Sequence, residues 1–252
     1  MLRLRKLLLP LMALFVGIFN VGCQGHTKIS HQQRQAIKNN LEGQILWLHQ
    51  SLFAGQFYDD DRYVLVHPRR FNNLSYLKNA EGEIIQPPPA RSIIPTGTRA
   101  RIEKIEFPTQ ETILKRPIFT PRYTAWVYLR VAKVRGDTLL EHEKTHILLP
   151  PGGLTNQKSF EMWLTSVLNS EDPNSWLNKQ PGAFREGIMT KKPVKGMDQK
   201  ALTAAMGMPD RLVQKPAKDK NNTATDVAVY GAISIVLENG RITKISDPTG
   251  RR

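Results

Sequence analysis

The N-terminal segment that ends at the chain's only cysteine constrains this sequence most. A basic start with Arg3, Arg5 and Lys6 is followed by an apolar run from Leu7 to Phe19. This run is shorter than the about 20 residues that a bilayer-spanning helix needs. It has the length of the hydrophobic region of a secretory signal peptide. A single cysteine also excludes an intramolecular disulfide and a metal cluster of several cysteines, so the fold depends on its apolar core.

Cys23 follows two small residues, Val21 and Gly22. This arrangement resembles a bacterial lipoprotein signal, in which the cysteine thiol is acylated and the cysteine becomes the new N-terminus. We therefore expect residues 1–22 to be removed and acyl chains on Cys23 to hold the protein in a membrane. By the same resemblance, Gln24 favours the periplasmic face of the outer membrane. The alternative is an ordinary signal peptide followed by an incidental cysteine.

The chain is strongly basic, with a formal net charge of +14 and a sequence pI near 10.0. Its hydrophobic content of 40% is that of an ordinary globular protein rather than a disordered one. The basic residues are spread along the chain without a run of five or six, and an exported protein rarely meets nucleic acid. We therefore expect no nucleic-acid partner. We expect the basic surface to face anionic lipid head groups, acidic envelope polymers or simply water.

The mature chain begins with a tether and an amphipathic helix, predicted together over residues 23–55. Ser30 is a suitable N-cap, and Gly55 ends the pattern. The apolar residues between them recur three or four positions apart, as on one face of a helix. They are Ile37, Leu41, Ile45, Leu48 and Leu52.

Residues 56–150 predict a small all-β unit. The strongest strand is 123–134, rich in β-branched and aromatic residues, and a Gly-Asp turn follows it at 136–137. The Pro-Thr-Gly-Thr entry at 95–98 to a charged, alternating strand resembles bacterial SH3-like barrels. Residues 151–182 then predict a helical linker that ends at a Pro-Gly boundary.

Residues 183–252 predict an α/β module of helix plus antiparallel strands. Asp198 is placed to cap a helix that runs through Met206 and ends at Gly207. Residues 211–225 predict a loop. Asn239-Gly240 between alternating apolar residues predicts a tight hairpin, because both turn positions need a positive φ. The whole chain is thus predicted to be α+β, with an N-terminal helix, a small all-β SH3-like unit and this C-terminal module.

The turns of this module follow an order that resembles a known family. Gly196-Met197 precedes the helix, Gly207 to Asp210 follows it, and Asn239-Gly240-Arg241 closes the chain's last hairpin. The same order occurs in the SmpA/OmlA (BamE-like) family of small outer-membrane lipoproteins, and the resemblance covers about 194–247. It implies a non-enzymatic scaffold or accessory factor in envelope or outer-membrane protein assembly, with envelope proteins, including β-barrel assembly subunits, as partners.

The resemblance also suggests where partners would bind. The expected partner-binding residues lie between the start of the predicted helix and the turn that follows it: Gly196, Met197, Gly207, Pro209 and Asp210. Peptidoglycan binding through the SH3-like unit is the alternative function. No cofactor is expected.

One motif predicts a different chemistry. His142, Glu143 and His146 form an H-E-x-x-H pattern, which on a helix places two imidazoles on a zinc ion beside a glutamate base. The motif follows a strong predicted strand and a turn, and no histidine lies downstream to act as a third ligand. The preferred interpretation is therefore an ordinary solvent-facing strand and no metal, with a zinc hydrolase as the less favoured reading.

Overall fold

A computed structural model describes residues 27–135, 138–141, 144–215 and 225–248. The predicted lipidation site Cys23 lies outside these residues, as do His142 and Glu143. The fold is a mixed α+β arrangement, which confirms the predicted class. It has two lobes, an N-terminal lobe (27–169) around a large sheet and a C-terminal lobe (174–248) around a small one.

Six helices and thirteen strands lie in the described part of the chain. The helices are α1 His31–Leu41, α2 Gln110–Lys115, α3 Gln157–Val167, α4 Asn174–Asn178, α5 Gly182–Met189 and α6 Gln199–Met206. The strands of the N-terminal lobe are β1 Ile45–Leu48, β2 Leu52–Phe57, β3 Asp60–His67, β4 Ser92–Ile94, β5 Arg99–Glu106, β6 Trp126–Arg135, β7 Thr138–Glu141, β8 Thr145–Leu148 and β9 Leu168–Asn169. Those of the C-terminal lobe are β10 Arg211–Lys215, β11 Thr225–Tyr230, β12 Ile233–Glu238 and β13 Arg241–Ser246.

The large sheet curls round on itself. Its strand order is β4-β2-β3-β8-β6-β5-β1-β9, with β7 paired to β6, and all pairs are antiparallel except β3 with β8. Five strand spacings separate β1 from β2 in this order, about 24 Å if the sheet were flat. Only residues 49–51 connect the two strands, and that link spans at most about 15 Å. The sheet must therefore bend until its two ends approach each other.

The inner face of the curled sheet holds the main core. Helices α1 and α3 add Ile37, Phe160 and Leu164, which are all buried there. The outer face is covered by the segment after β3, whose Phe71, Leu74 and Leu77 pack near Trp126 in a second cluster. Both faces of the sheet are thus excluded from water over much of their area.

Helix α1 is shorter than predicted. Ser30 caps it as expected, accepting a hydrogen bond from the Gln33 backbone N–H, but the helix ends at Leu41. Gly43 follows with a φ of 84°, a backbone conformation that favours glycine. The rest of the predicted helix is wrong, because Ile45 to Phe57 forms strands β1 and β2.

The predicted SH3-like unit and linker also differ from the structure. The nine-stranded sheet is larger than a small SH3-like unit, and it includes residues on both sides of the predicted 56–150 range. The interval 151–182 was expected to be a linker, but it contributes to two cores. Phe160 and Leu168 belong to the N-terminal core, whereas Leu177 belongs to the C-terminal core.

The C-terminal lobe packs α5 and α6 on an antiparallel sheet in the order β10-β11-β12-β13. Asp198 caps α6 by accepting a hydrogen bond from the Ala201 backbone N–H, as predicted. Asn239 and Gly240 have φ values of 51° and 72°, which confirms the tight hairpin. The predicted loop at 211–225 is wrong at its start, because β10 pairs there with β11.

Candidate functional site

The predicted partner-binding residues divide into two structural groups. The first group, Gly196 and Met197, ties the start of α6 to strand β13. Met197 is fully buried in the C-terminal core, and the Gly196 N–H donates to the Ile242 carbonyl at 2.8 Å. The Ile242 N–H donates in return to the Met197 carbonyl at 2.9 Å. This pair therefore stabilises the lobe itself and presents little surface to a partner.

The second group faces the other lobe. Gly207 ends α6 with a φ of 84°, and a Cβ there would lie 3.0 Å from Gln50 Oε1 and 3.2 Å from Pro68 Cβ. Asp210 accepts a hydrogen bond from the Gly231 N–H at 2.6 Å. It also forms a salt bridge at 2.6 Å with Arg69 of the N-terminal lobe. The turn after α6 is thus occupied by a contact within the chain.

Arg69 is held in place by a buried histidine. The Arg69 backbone N–H donates to His67 Nδ1 at 2.9 Å, so this nitrogen carries no proton. The proton on Nε2 then faces the Tyr76 hydroxyl oxygen at 3.0 Å, while that hydroxyl donates to the Leu149 carbonyl at 3.1 Å. Burial lowers the pKa of His67 to about 3, which keeps the ring neutral.

A buried polar cluster joins the two lobes. Ser51, fully buried in the β1–β2 link, donates from its hydroxyl to the Ile188 carbonyl at 2.7 Å. Its backbone N–H donates to the Ala204 carbonyl at 3.0 Å. Thr96 completes the cluster, since its N–H donates to Ser51 Oγ at 2.9 Å and its hydroxyl to the Ala204 carbonyl at 3.3 Å. We call these contacts, together with Lys191, the lobe joint.

Lys191 is the most unusual member of the lobe joint. Only 4% of this residue is exposed, and its Nζ donates to the carbonyls of Ser51 at 2.6 Å and Ala205 at 2.7 Å. The Nζ atom also lies 4.9 Å from the centre of the Phe53 ring. Burial, with a smaller contribution from Arg70, lowers the pKa of Lys191 to about 7. A neutral amine has two N–H donors, which match the two carbonyls.

Sequence reasoning missed the lobe joint. Single Ser, Thr and Lys residues in polar segments carry no periodic or motif signal. The only local sign is the backbone of Lys191, whose φ of 57° is rare for a residue other than glycine, and this sign is visible only in the structure. The joint binds the two lobes to each other through these buried hydrogen bonds.

A groove of about 450 Å³ opens beside the joint, between α4 and α6. The Lys200 Nζ lies 4.7 Å from the centre of the Trp176 ring and occupies that aromatic face. His49 Nε2 lies 2.7 Å from the Glu171 carbonyl oxygen. Lys200 and His49 are therefore both engaged by other residues that line the groove.

The described residues on both sides of the H-E-x-x-H pattern belong to strands. Strand β7 ends at Glu141, and β8 begins at Thr145, so the helix that the zinc motif needs is not formed on either side. His146 lies in β8 and is 3% exposed, which corrects the expectation of a solvent-facing strand. Within the residues that the structure describes, no group of three or more metal-binding side chains could hold an ion.

The C-terminal sheet has one covered and one uncovered edge. The segment 196–198 hydrogen-bonds along β13, including a bridge between Asp198 and Arg241. Among the described strands, β10 pairs only with β11. Beside it, Met208 is 55% exposed and Leu212 is 40% exposed. Strand β10 directly follows the residues expected to bind partners, and its edge is accessible.

Comparisons with known family models, with curated proteins and with solved structures found no match for this chain. Within the described residues, no helix combines the length and apolar character that crossing a membrane requires.

Proposed function

We propose that the protein is a periplasm-facing lipoprotein of the outer membrane that acts as a non-enzymatic scaffold or accessory factor in envelope or outer-membrane protein assembly. Acylation of Cys23 would anchor it, and the accessible β10 edge would bind its partner. The sequence up to Cys23 supports the anchor. The order of turns over 194–247 supports relationship to the SmpA/OmlA family, in which a helix precedes an antiparallel sheet.

The open edge of β10 is the single observation that carries the partner-binding role. An uncovered strand offers a row of unpaired backbone groups, and extended peptide segments bind by pairing with them. The edge strands of the large sheet, β4, β7 and β9, have three, four and two residues, whereas β10 has five. Met208 and Leu212 add exposed apolar surface next to this longer edge.

The charge of the edge indicates the chemistry of its partner. Strand β10 begins with Arg211 and ends with Lys215, and the whole chain carries a formal net charge of +14. An acidic, extended segment of another envelope protein would therefore suit this edge. Backbone pairing would supply affinity, and apolar contact with Leu212 would set the register.

Site-specific photo-crosslinking in the source bacterium tests this proposal. A photoreactive residue at Leu212 should give a discrete crosslinked envelope protein, identified by mass spectrometry. The same residue at Ile84, which is 56% exposed on the N-terminal lobe, is the matched control. Recovery of β-barrel assembly subunits from Leu212 would support the assembly role. Equal or absent crosslinking at both positions would contradict partner binding at β10.

The anchor has an independent test. The N-terminal peptide of the mature protein should begin at Cys23 and carry the mass of acyl chains, and Cys23→Ser should release the protein from the membrane fraction. An unmodified cysteine would disprove the anchor. Pelleting of the purified protein with sacculi would favour the peptidoglycan-binding alternative over the scaffold role.

A further inference from the structure

The N-terminal lobe exposes three large apolar side chains within six residues. Leu114 is 74% exposed, Ile118 is 53% exposed and Phe119 is 67% exposed. They lie on α2 and on the turn that follows it. We refer to these three residues as the apolar tip. Scattered single apolar residues are common on protein surfaces, but a group of this size in one loop indicates a binding surface.

The loop that carries the apolar tip is firmly braced. Arg116 is 5% exposed and donates to the carbonyls of Arg122 at 2.8 Å and Thr124 at 2.7 Å. Its guanidinium also bonds Glu106 at 3.0 Å and lies 4.1 Å from the Trp126 ring centre. The backbone shape that exposes the tip is thus fixed by buried contacts of the same loop.

The beginning of the described chain lies next to this loop. Thr27 and Ile29 line a cavity of about 150 Å³ together with Pro108 and Tyr123, which flank the loop on both sides. Ile29 is 3% exposed, so this end of the chain is fixed to the core. Cys23 precedes Thr27 by four residues, which span at most about 14 Å. A lipid on Cys23 would therefore hold the membrane surface close to the loop.

The charges around the tip indicate how it would bind. Lys115, between the tip residues, forms a salt bridge with Glu111 at 2.6 Å, and both are well exposed. Lys28, Lys78 and Arg122, in and near the loop, are offset to within one positive charge by Glu81 and Glu83 of the neighbouring turn. Because these charges nearly cancel, insertion of apolar side chains dominates over attraction to anionic head groups.

We infer that the apolar tip inserts into the interfacial region of the same bilayer that holds the acyl chains of Cys23. This inference rests on the proposed lipid anchor. The tip is a second membrane contact, and two contacts fix the orientation of the lobe on the membrane, whereas a single lipid anchor does not. The occupant is the phospholipid interface itself rather than a protein partner.

The test uses full-length lipidated protein in phosphatidylcholine vesicles. Because lipidation occupies Cys23, the chain's only cysteine, a Lys115→Cys substitution provides one free thiol for a fluorescent label. Glu111→Gln is added to keep the local charge balanced. Lipid-borne quenchers should quench this label strongly, and raising the salt concentration should leave the quenching unchanged. Leu114→Ser with Phe119→Ser should reduce the quenching several-fold while the protein still floats with the vesicles.

The matched control is Met162→Ser with Met189→Ser, which removes two exposed apolar residues outside the apolar tip. Quenching should stay as in the parent protein. If the protein floats with the vesicles but its label is not quenched, the inference that the tip inserts is wrong, and the lipid anchor alone binds the protein to the membrane. Absence of lipid on Cys23 would overturn the anchor and, with it, this inference. Equal loss of quenching in the control pair would also overturn the role of the tip.

Discussion

Replacing Lys191 by Met tests whether the lobe joint contains a lysine that is neutral at high pH. Met has a similar length, but it leaves the Ser51 and Ala205 carbonyls without the hydrogen bonds that Nζ donates at 2.6 and 2.7 Å. A buried polar group that loses its partner costs about 1–3 kcal/mol. We therefore expect Lys191→Met to lower the free energy of unfolding by several kcal/mol at pH 9.

The dependence on pH has a definite sign. In the unfolded chain Lys191 has its ordinary pKa of 10.5, whereas burial lowers the folded pKa to about 7. Between these values the unfolded chain binds more protons, so the free energy of unfolding rises with pH, by about 1.4 kcal/mol per pH unit. Below about pH 7 Lys191 is protonated in both the folded and the unfolded state. Its contribution to the free energy of unfolding then no longer changes with pH.

The measurement is denaturant unfolding from pH 6 to pH 9, followed by tryptophan fluorescence. The difference in unfolding free energy between wild type and Lys191→Met should grow by about 2 kcal/mol from pH 7 to pH 9. Lys195→Met, an exposed position in the segment between α5 and α6, controls for the loss of a surface lysine. A difference that stays constant over this range would refute the argument that Lys191 loses its proton in the folded protein.

Two further predictions concern a glycine and the histidine motif. Gly207→Ala should lower the unfolding free energy by about 2 kcal/mol, because φ is 84° and the new Cβ would lie 3.0 Å from Gln50 Oε1. Gly182→Ala, where a Cβ meets nothing within 4 Å, is the control, and equal stability of the two variants would contradict the strain. Protein purified without chelator should contain far less than one zinc per chain, because His146 is buried in a strand. One zinc per chain by elemental analysis, lost in His142→Ala, would establish the metal site instead.

Features that depend on a few neighbouring residues could be predicted from the sequence. The Asp198 cap, the end of α6 at Gly207 and the Asn239-Gly240 hairpin are all present. Each is determined by the conformations that a glycine or a short polar side chain allows. The same is true of the long strand β6, whose β-branched and aromatic residues favour extended backbone.

Features that depend on distant partners could not be predicted. Leu48 and Leu52 fit the helical spacing equally well as buried positions in two short strands, whereas Ile45 at the start of β1 is exposed. Strand β10 has a polar sequence, and it becomes a strand because β11 pairs with it. The accessible edge of β10 results from such pairing. The residues with the strongest local sequence signals therefore stabilise the fold. The exposed edge of β10 lies beside them.

The short link between β1 and β2 has a consequence for the order of folding. The segment is made early, yet Trp47 of β1 pairs with Asn169 of β9, and Ser51 bonds Ile188 and Ala204. In an emerging chain these groups therefore bond to water instead of to their native partners until most of the protein has been synthesised. Contacts between residues this far apart slow folding and leave strand edges exposed to aggregation meanwhile. We expect a chaperone that shields extended segments to raise the yield of folded protein more than one that acts on completed chains.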